Sequence, residues 1–251
     1  MSKCAVVTGA ASGIGAAVAK ALSEQGHNVV VADMNETLGN EVANKIGGVY
    51  VHSDLSQREA CEQLIDTASE RFGGVDILVN NAGFQHVSPV EDFPEHIWDL
   101  MMSVMLTAPF LLTRYAWPHM KKQGWGRVVN IASIHSVVAS INKVGYISAK
   151  HGMIGLTKTT ALEGGDCGIT VNALSPSYVR TPLVENQIAA QAKANNIPED
   201  EVVDKILLKN AAIKKLIEPE EVAALVNFLC SDNGATITGA NWTMDCGWTA
   251  Q

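Results

Sequence analysis

The amino-acid sequence predicts an α/β fold, a doubly wound parallel sheet of about seven strands with a small helical lid insertion. Short apolar runs rich in β-branched residues alternate with longer segments of helical period, the pattern of a parallel sheet covered by helices on both faces. No linker rich in proline, glycine or serine interrupts this alternation. With 251 residues, of which 47% are hydrophobic, the chain can build a sizeable core. We therefore expect a single domain over residues 1–251.

The apolar runs predict the strands, and the segments of helical period predict the helices between them. Seven strands are expected at Cys4–Val7, Asn28–Ala32, Val49–His52, Ile77–Val79, Val128–Ile131, Thr170–Ala173 and Trp242–Met244. The helices are expected near Ile14–Gln25, Glu36–Ile46, Arg58–Phe72, Ile97–Lys122, Tyr146–Glu163 and Glu220–Ser231. Pro109 falls inside the fourth helix and is expected to bend it, because proline lacks the backbone N–H.

The segment 182–216 departs from the alternation, because it has helical period but no strand follows it. A helical insertion at this place suits a lid over the carboxyl edge of the sheet, where ligands bind in such folds. A packed structural hairpin would give the same pattern, so both interpretations stay open.

Composition and charge exclude several classes of protein. The formal charge of −8 argues against a surface for nucleic acid or acidic membranes. No apolar run reaches the roughly 18 residues of a membrane span, and the run after Lys3 is too short for a signal peptide. The five cysteines and seven histidines lack the spacing of a disulfide framework or a metal site. We expect a cytoplasmic protein that binds no nucleic acid, membrane or metal.

A glycine-rich turn joins the first expected strand to the first helix, with the sequence Thr8-Gly9-Ala10-Ala11-Ser12-Gly13-Ile14-Gly15. The free N–H groups and the dipole of a helix N-terminus can bind a pyrophosphate, and glycine removes side chains that would block its approach. The turn therefore predicts the dinucleotide site of a Rossmann fold. The residues expected next to the cofactor are Gly9, Ser12, Gly13, Ile14 and Gly15.

The ends of the following strands extend the expected cofactor site. Asp33 ends the second strand, where a carboxylate accepts hydrogen bonds from the ribose hydroxyls of NAD and repels the 2′-phosphate of NADP. NAD is therefore the expected cofactor, although Asp33 could also be a helix N-cap. Further positions, for which ordinary turn chemistry is the alternative, are expected near the adenine (Asp54, Leu55) and on the floor of the site (Asn81, Ala82, Gly83).

Tyr146 and Lys150 lie one helical turn apart, and Ser133 precedes them at the end of a strand. A phenol has an unperturbed pKa of about 10, but an ammonium one turn along the same helix favours the phenolate. Tyr146 could then accept a proton from an alcohol whose oxygen is held by the Ser133 hydroxyl. On spacing alone, such a Tyr and Lys are more often a plain surface pair.

Together these motifs stand in an order typical of one protein family. The order is Gly9/Gly13/Gly15, Asp33, Asn80-Asn81-Ala82-Gly83, Ser133 and Tyr146-x-x-x-Lys150. Over essentially its whole length the chain resembles the short-chain dehydrogenase/reductase family.

The resemblance implies hydride transfer between a nicotinamide and an alcohol or carbonyl carbon. It implies that Tyr146 is the acid/base, that Lys150 lowers its pKa and holds the nicotinamide ribose, and that Ser133 orients the substrate oxygen. It also implies that Pro176 and Val179 lie next to the nicotinamide. A homotetramer is implied as well, assembled through the two long helices that are expected to end near residues 122 and 163.

A narrower resemblance concerns the substrate. Segments around residues 84–86, 132–135, 142–146 and 181–187 are similar to those of family members that act on D-3-hydroxybutyrate. In those enzymes the positions matching Gln85, His135, Lys143 and Gln187 bind the substrate carboxylate. A carboxylate that close to the catalytic hydroxyls needs cationic or N–H donors once water is excluded, which agrees with this assignment. Trp248 is expected to close the apolar side of the site around the methyl group of a small 3-hydroxy acid.

Three places depart from the family pattern, and one of them, Asp245-Cys246-Gly247 in place of the commoner Asp-Gly-Gly, lies away from the predicted chemistry. Met105 stands where the family has a catalytic asparagine, which perturbs its helix so that a backbone carbonyl holds a water in a proton relay. A thioether cannot make the hydrogen bonds of that amide, so the relay is expected to be altered but not abolished. Ser177 replaces a glycine beside the nicotinamide. The alternatives are a family member acting on a sugar, polyol or 3-oxoacyl thioester, and a catalytically weakened nucleotide-binding protein.

Overall fold

The central sheet has seven parallel strands, as the sequence predicts. A computed structural model describes residues 2–250, without the side chains of residues 187, 190, 194 and 195. The strand order is β3-β2-β1-β4-β5-β6-β7, so the chain winds outward in both directions from β1, which is the doubly wound arrangement of a Rossmann fold. The strands are β1 (Cys4–Thr8), β2 (Asn28–Asp33), β3 (Val49–His52), β4 (Ile77–Asn80), β5 (Gly126–Ile131), β6 (Ile169–Pro176) and β7 (Asn241–Met244).

The helices connect successive strands, and local signals fix several of their ends. Asn35 caps one helix through its side chain, which accepts the Leu38 N–H at 3.0 Å. Gly47 ends the same helix in the left-handed conformation. The helices are α1 (Gly13–Glu24), α2 (Glu36–Ile46), α3 (Arg58–Phe72), α4 (Glu95–Met102), α5 (Ala108–Gln123), α6 (Val144–Gly164), α7 (Pro182–Asn195), α8 (Glu199–Val202) and α9 (Pro219–Cys230).

Helices cover both faces of the sheet, and each face has its own apolar core. Every residue of β1, β4, β5 and β6 is buried, as expected for parallel strands covered on both sides. On one face the core contains Leu22 of α1 and Val226 of α9. On the other it contains Leu64 of α3 and Leu112 of α5. This arrangement places the carboxyl ends of the central strands together at one edge.

The fourth expected helix is interrupted by a wider turn. α4 ends at Met102, a π turn spans Ser103–Thr107, and α5 follows. Within it the Ala108 N–H donates to the Ser103 carbonyl, five residues earlier. Pro109, next in the chain, has no N–H to donate. The irregularity expected at Pro109 is therefore a widened turn directly before it.

The segment 182–216 is helical, and no residue of its described backbone is in a strand. α7 and α8 lead into a second π turn, Val203–Leu207. Val184, Val202 and Leu216 belong to an apolar cluster that is separate from the two main cores. The predicted helical insertion is confirmed and has a core of its own, while its action as a lid stays a prediction.

One helical run, Glu95–Gln123, is long and apolar enough to pass for a membrane span, with a mean hydropathy of 1.3 over its most apolar 18 residues. The sequence contains no uninterrupted run of 18 apolar residues, because polar side chains are spread along this helical run. In the fold the run is broken by the first π turn, and Leu111, Leu112 and Met120 of α5 are buried in the core beside the sheet. Within this structure one side of the run packs in the core, and 39% of its most apolar stretch is buried.

The backbone is tightly packed around Gly168, directly before β6 begins. Its φ is +71°, and a Cβ there would lie 2.2 Å from the Gly124 carbonyl oxygen. Gly47 has a similar φ of +66°, but its Cβ would meet nothing within 4 Å. We expect Gly47→Ala to cost about 1 kcal/mol, from backbone strain alone. Gly168→Ala adds a clash with backbone and should lower the thermal midpoint at least about twice as much. Equal midpoints for the two variants would contradict this packing.

Candidate active site

A cavity of about 300 Å³ opens at the carboxyl edge of the sheet. An adjoining cavity of about 390 Å³ shares Gly9, Asp33, Ala82, Gly83 and Phe84 with it. The first cavity brings together most of the residues predicted from the sequence, namely Gly9, Ser12, Gly13, Ile14, Asp33, Asn81, Ala82, Gly83, Gln85, Ser133, His135, Lys143, Tyr146, Lys150, Pro176 and Val179. The second adds Asp54 and Leu55.

Two of the predicted residues that the structure describes, Gly15 and Trp248, do not line either cavity. Gly15 has a packing role, because a Cβ there would lie 2.2 Å from the Gly9 carbonyl oxygen. The ring of Trp248 lies 5.7 Å from that of Tyr178, which does line the first cavity. The side chain of Gln187 is outside the described residues.

Tyr178 is a cavity residue that the sequence reasoning missed. It lies just beyond the end of β6, two residues after Pro176, and burial raises its pKa. The signal was present, since an aromatic residue following the end of a central strand faces the ligand edge of such a sheet.

The glycine-rich turn has the geometry of a dinucleotide site. A Cβ on Gly9 would lie 2.9 Å from the Ala82 Cα, so the turn approaches the end of β4 as closely as backbone permits. Ser12, the N-cap of α1, makes no side-chain hydrogen bond to the first helical turn. The N–H groups of that turn are therefore not taken up by a cap and fit a pyrophosphate.

Asn81 is hydrogen-bonded to the glycine-rich turn. Its side-chain amide donates to the carbonyls of Thr8 and Gly9, at 2.9 and 3.1 Å. The Thr8 hydroxyl oxygen in turn accepts the backbone N–H groups of Asn81 and Ala82. Asn81 thus ties β4 to the glycine-rich turn.

Asp33 braces the same turn from the other side. Its carboxylate accepts the N–H groups of Ala11 and Asn35, at 3.0 and 2.9 Å. The N-cap of α2 is Asn35, so the alternative N-cap role of Asp33 is wrong. In the second cavity Asp33 is joined by Asp54, whose pKa is lowered by a hydrogen bond from the Ser56 hydroxyl. No lysine or arginine is among the described residues that line this cavity.

The three residues expected to carry the chemistry meet in the first cavity. Ser133 follows the end of β5 in extended backbone, and the interaction of its hydroxyl with the Tyr146 phenol lowers the pKa of that phenol. The Lys150 ammonium donates to the Ile131 carbonyl at 2.7 Å and lies 5.6 Å from the centre of the Tyr146 ring. Burial lowers the pKa of Lys150 to about 8.

The pKa of Tyr146 moves opposite to the direction that the sequence predicts. Burial raises this pKa, and the nearby Tyr178 adds to the increase, while only the hydrogen bond with Ser133 lowers it. The Lys150 ammonium is directed at the Ile131 carbonyl, so it does not offset the burial of the phenol. With a raised pKa, Tyr146 is a protonated phenol at neutral pH.

Three more polar side chains line the cavity that contains Ser133, Tyr146 and Lys150: Gln85, His135 and Lys143. The His135 ring lies edge-on to the Tyr146 ring, with centroids 6.3 Å apart. Burial, followed by the charge of Lys143, lowers the pKa of His135 to about 4, so this ring is neutral at pH 7. Its Nδ1 is buried and has no partner among the described residues. Lys143 is the cation of this group, although burial lowers its pKa too.

The first π turn packs against the helix that carries Tyr146. Met105 is fully buried in a cluster with Met101, Ala149 and Tyr146, and its sulfur approaches Gly83. Four residues later, Pro109 has no N–H, so the Met105 carbonyl lacks the donor that a regular helix would supply. Met105 therefore supplies packing, and Pro109 supplies the irregular backbone.

Comparison with known proteins agrees with this geometry. A family model described as enoyl-(acyl carrier protein) reductase matches residues 9–249. D-beta-hydroxybutyrate dehydrogenase of Rhizobium meliloti (strain 1021) is 46% identical, with both chains covered completely. The protein of the same name from Cupriavidus necator is 43% identical over 99% of this chain and 98% of the relative. A 3-alpha-(or 20-beta)-hydroxysteroid dehydrogenase of Mycobacterium tuberculosis is 35% identical over 100% and 90%.

The matches to the two relatives named dehydrogenases cover the whole Rossmann fold and both cavities, and they span nearly the full length of both proteins. The family model covers residues 9–249. This chain belongs to the short-chain dehydrogenase/reductase family of nucleotide-dependent oxidoreductases.

Proposed function

We propose that this protein is an NAD-dependent dehydrogenase that interconverts D-3-hydroxybutyrate and acetoacetate. The observation that carries the proposal is the group formed by Gln85, His135 and Lys143 beside Tyr146. It offers one cation and neutral donors close to the Ser133 hydroxyl, which matches a substrate with a carboxylate near its reacting carbon. Two relatives named D-beta-hydroxybutyrate dehydrogenase support the same substrate.

The electrostatics of the second cavity support NAD over NADP. Asp33 and Asp54 are both carboxylates, and the described lining residues include no cation to neutralise a 2′-phosphate. A phosphate there would be repelled at short range. Residues proposed to hold the dinucleotide are those of the glycine-rich turn with Asp54, Leu55, Ala82, Pro176 and Val179.

The nicotinamide supplies the hydride acceptor when NAD is bound. In oxidation, the Ser133 hydroxyl holds the substrate oxygen and the Tyr146 phenolate takes its proton. Lys150 fixes the position of Tyr146 through the tie to Ile131 and is proposed to bind the nicotinamide ribose. Lys143 and His135 hold the carboxylate, which sets the face of the alcohol carbon that meets the cofactor.

The raised pKa of Tyr146 gives the two directions opposite pH dependence. Reduction needs the protonated phenol, which this site favours at neutral pH. Oxidation needs the phenolate, whose fraction grows as pH rises toward that pKa. The proton taken up in oxidation must later leave. The Met105 carbonyl, which cannot accept an N–H from Pro109, is proposed to accept a hydrogen bond from a water along that path.

The exposed surfaces of α5 and α6 support a homotetramer built through these helices. Only 39% of the most apolar stretch of the run Glu95–Gln123 is buried within the chain. Phe110 of α5 is 45% exposed and Leu162 of α6 is 86% exposed. Apolar side chains exposed to this degree are typical of an interface. We also propose a cytoplasmic location, which suits the five free cysteines.

A second candidate is a family member with a larger substrate. The hydroxysteroid dehydrogenase relative and the acyl-carrier description of the family model favour it. The cavity of about 300 Å³ must also admit the nicotinamide, so little room is left for a steroid. The net charge of −8 disfavours docking to an acidic carrier protein.

The proposed reaction is tested by following NADH absorbance with purified protein. We expect NADH from D-3-hydroxybutyrate with NAD, and rates at least about 100-fold lower with the L enantiomer or with NADP, since a misplaced carboxylate and a repelled phosphate each cost several kcal/mol. No NADH from the D form at millimolar concentration would overturn the substrate assignment. Turnover of a steroid or polyol instead would favour the second candidate.

Lys143→Met tests whether the cation binds the carboxylate. Loss of a charge-assisted hydrogen bond should raise KM for D-3-hydroxybutyrate by about 10- to 100-fold. The affinity for NAD should not change. Lys158→Met is the matched control, because Lys158 is exposed on α6, the helix that begins directly after Lys143, and does not line the cavity. If both variants keep the native KM, the carboxylate is bound elsewhere.

A further inference from the structure

A chain of buried hydroxyl groups lies beneath the catalytic serine. The Ser136 hydroxyl donates to the Ser133 carbonyl at 2.6 Å, and its oxygen lies 2.8 Å from the Ser175 hydroxyl. Ser175 in turn contacts the side-chain oxygen of Asn241 at 2.6 Å. Ser136 and Ser175 are 4% and 0% exposed. The chain runs from the end of β5 across β6 to the edge strand β7.

Counting hydrogens fixes the direction of this chain. Three oxygen–oxygen contacts are present, but the two hydroxyls carry only two hydrogens. If the Asn241 oxygen faces Ser175, the two hydroxyl hydrogens can fill only two of the three contacts. The third contact would then hold two oxygens 2.8 Å apart or less with no hydrogen between them. Turning the Asn241 amide places its NH2 group there and supplies the third hydrogen. The two ends of such an amide are nearly equal in shape and are assigned from their hydrogen bonds.

The resulting chain has one direction throughout. Asn241 donates to Ser175, Ser175 donates to Ser136, and Ser136 donates to the Ser133 carbonyl. That carbonyl also accepts the Ser136 N–H at 2.8 Å. Hydrogen bonds that point the same way along a buried chain strengthen one another. The short turn Ile134–Ser136 is therefore held to β6 and β7 from its inner side.

The turn carries the group that orients the substrate. The Ser133 hydroxyl oxygen accepts the His135 N–H at 3.2 Å. The same hydroxyl interacts with the Tyr146 phenol and lowers its pKa. Rotation of the peptide after Ser133 would move both contacts. We propose that Ser136 and Ser175 are positioning residues, which hold the Ser133 hydroxyl in place through a hydrogen-bond chain donated by the Asn241 amide. This rests on the proposed function for the role of Ser133.

Asn241→Asp tests the direction of the chain without any substrate. The substitution keeps the shape and an oxygen toward Ser175, but it removes the donor and adds a negative charge at a half-buried position. We expect a thermal midpoint at least about 2–4 °C lower than native. The cost of the charge remains in a Ser175→Ala background, whereas the part that comes from the lost donor should vanish there, so the loss should be smaller in that background. A native midpoint for Asn241→Asp, or the same loss in both backgrounds, would overturn the assigned direction.

Ser136→Ala tests positioning. We expect kcat for D-3-hydroxybutyrate to fall about tenfold, with KM and the affinity for NAD changed less than about threefold. In a Ser133→Ala background the same substitution should cause no further loss of kcat. Thr157→Val is the control, because it removes a buried hydroxyl that bonds Asn130 and has no contact with Ser133; it should lower the midpoint and leave kcat unchanged.

Equal losses of kcat from Ser136→Ala in both backgrounds would overturn the positioning role, as would a lower midpoint with native kcat. If the native protein forms no NADH from D-3-hydroxybutyrate, the proposed function fails. The midpoint comparison for Asn241→Asp still decides in that case whether the hydrogen-bond chain exists.

Discussion

The hydrogen bond from the Lys150 ammonium to the Ile131 carbonyl joins α6, the helix that carries Tyr146, to the central sheet. Tyr146 lies one turn before Lys150, and Ser133 lies two residues after Ile131, so this contact sets the phenol opposite the hydroxyl. Burial lowers the pKa of Lys150 to about 8, and the ammonium form that makes the bond dominates at neutral pH. The bond weakens as pH rises through that value, because the neutral amine has lost a donor hydrogen and its charge.

The surroundings of this pair combine apolar packing with buried backbone acceptors. Met105 fills the space between Gly83 and α6, where a polar amide would require partners of its own. Pro109 interrupts the donors of the adjoining helix, so the backbone stays irregular without help from the side chain at position 105. Met105 thus packs against its neighbours, and Pro109 withholds an N–H from the carbonyl of residue 105. In the family pattern a single asparagine both fills this position and perturbs the helix.

Much of the fold and the membership of the site were predictable from the sequence, because both depend on local signals. Continuous apolar runs predict β1 to β7, and the residues predicted from the glycine-rich turn and Asp33 line one cavity at the carboxyl edge of the sheet. Features that depend on distant contacts were not predictable. The raised pKa of Tyr146 comes from burial by several elements, and the brace made by Asn81 becomes visible only when β4 lies beside β1.

The pH dependence of the rate is the most direct test, because it reports the protonation state of the Tyr146 phenol that Lys150 holds opposite Ser133. Between about pH 6 and pH 8, where Lys150 keeps its ammonium form, kcat/KM for oxidation of D-3-hydroxybutyrate should rise about tenfold per unit, while reduction of acetoacetate should not rise. Tyr146→Phe should lose at least about 100-fold in both directions and keep its affinity for NADH. Oxidation that does not vary with pH, or a Tyr146→Phe variant with the native rate, would contradict the role of the buried phenol.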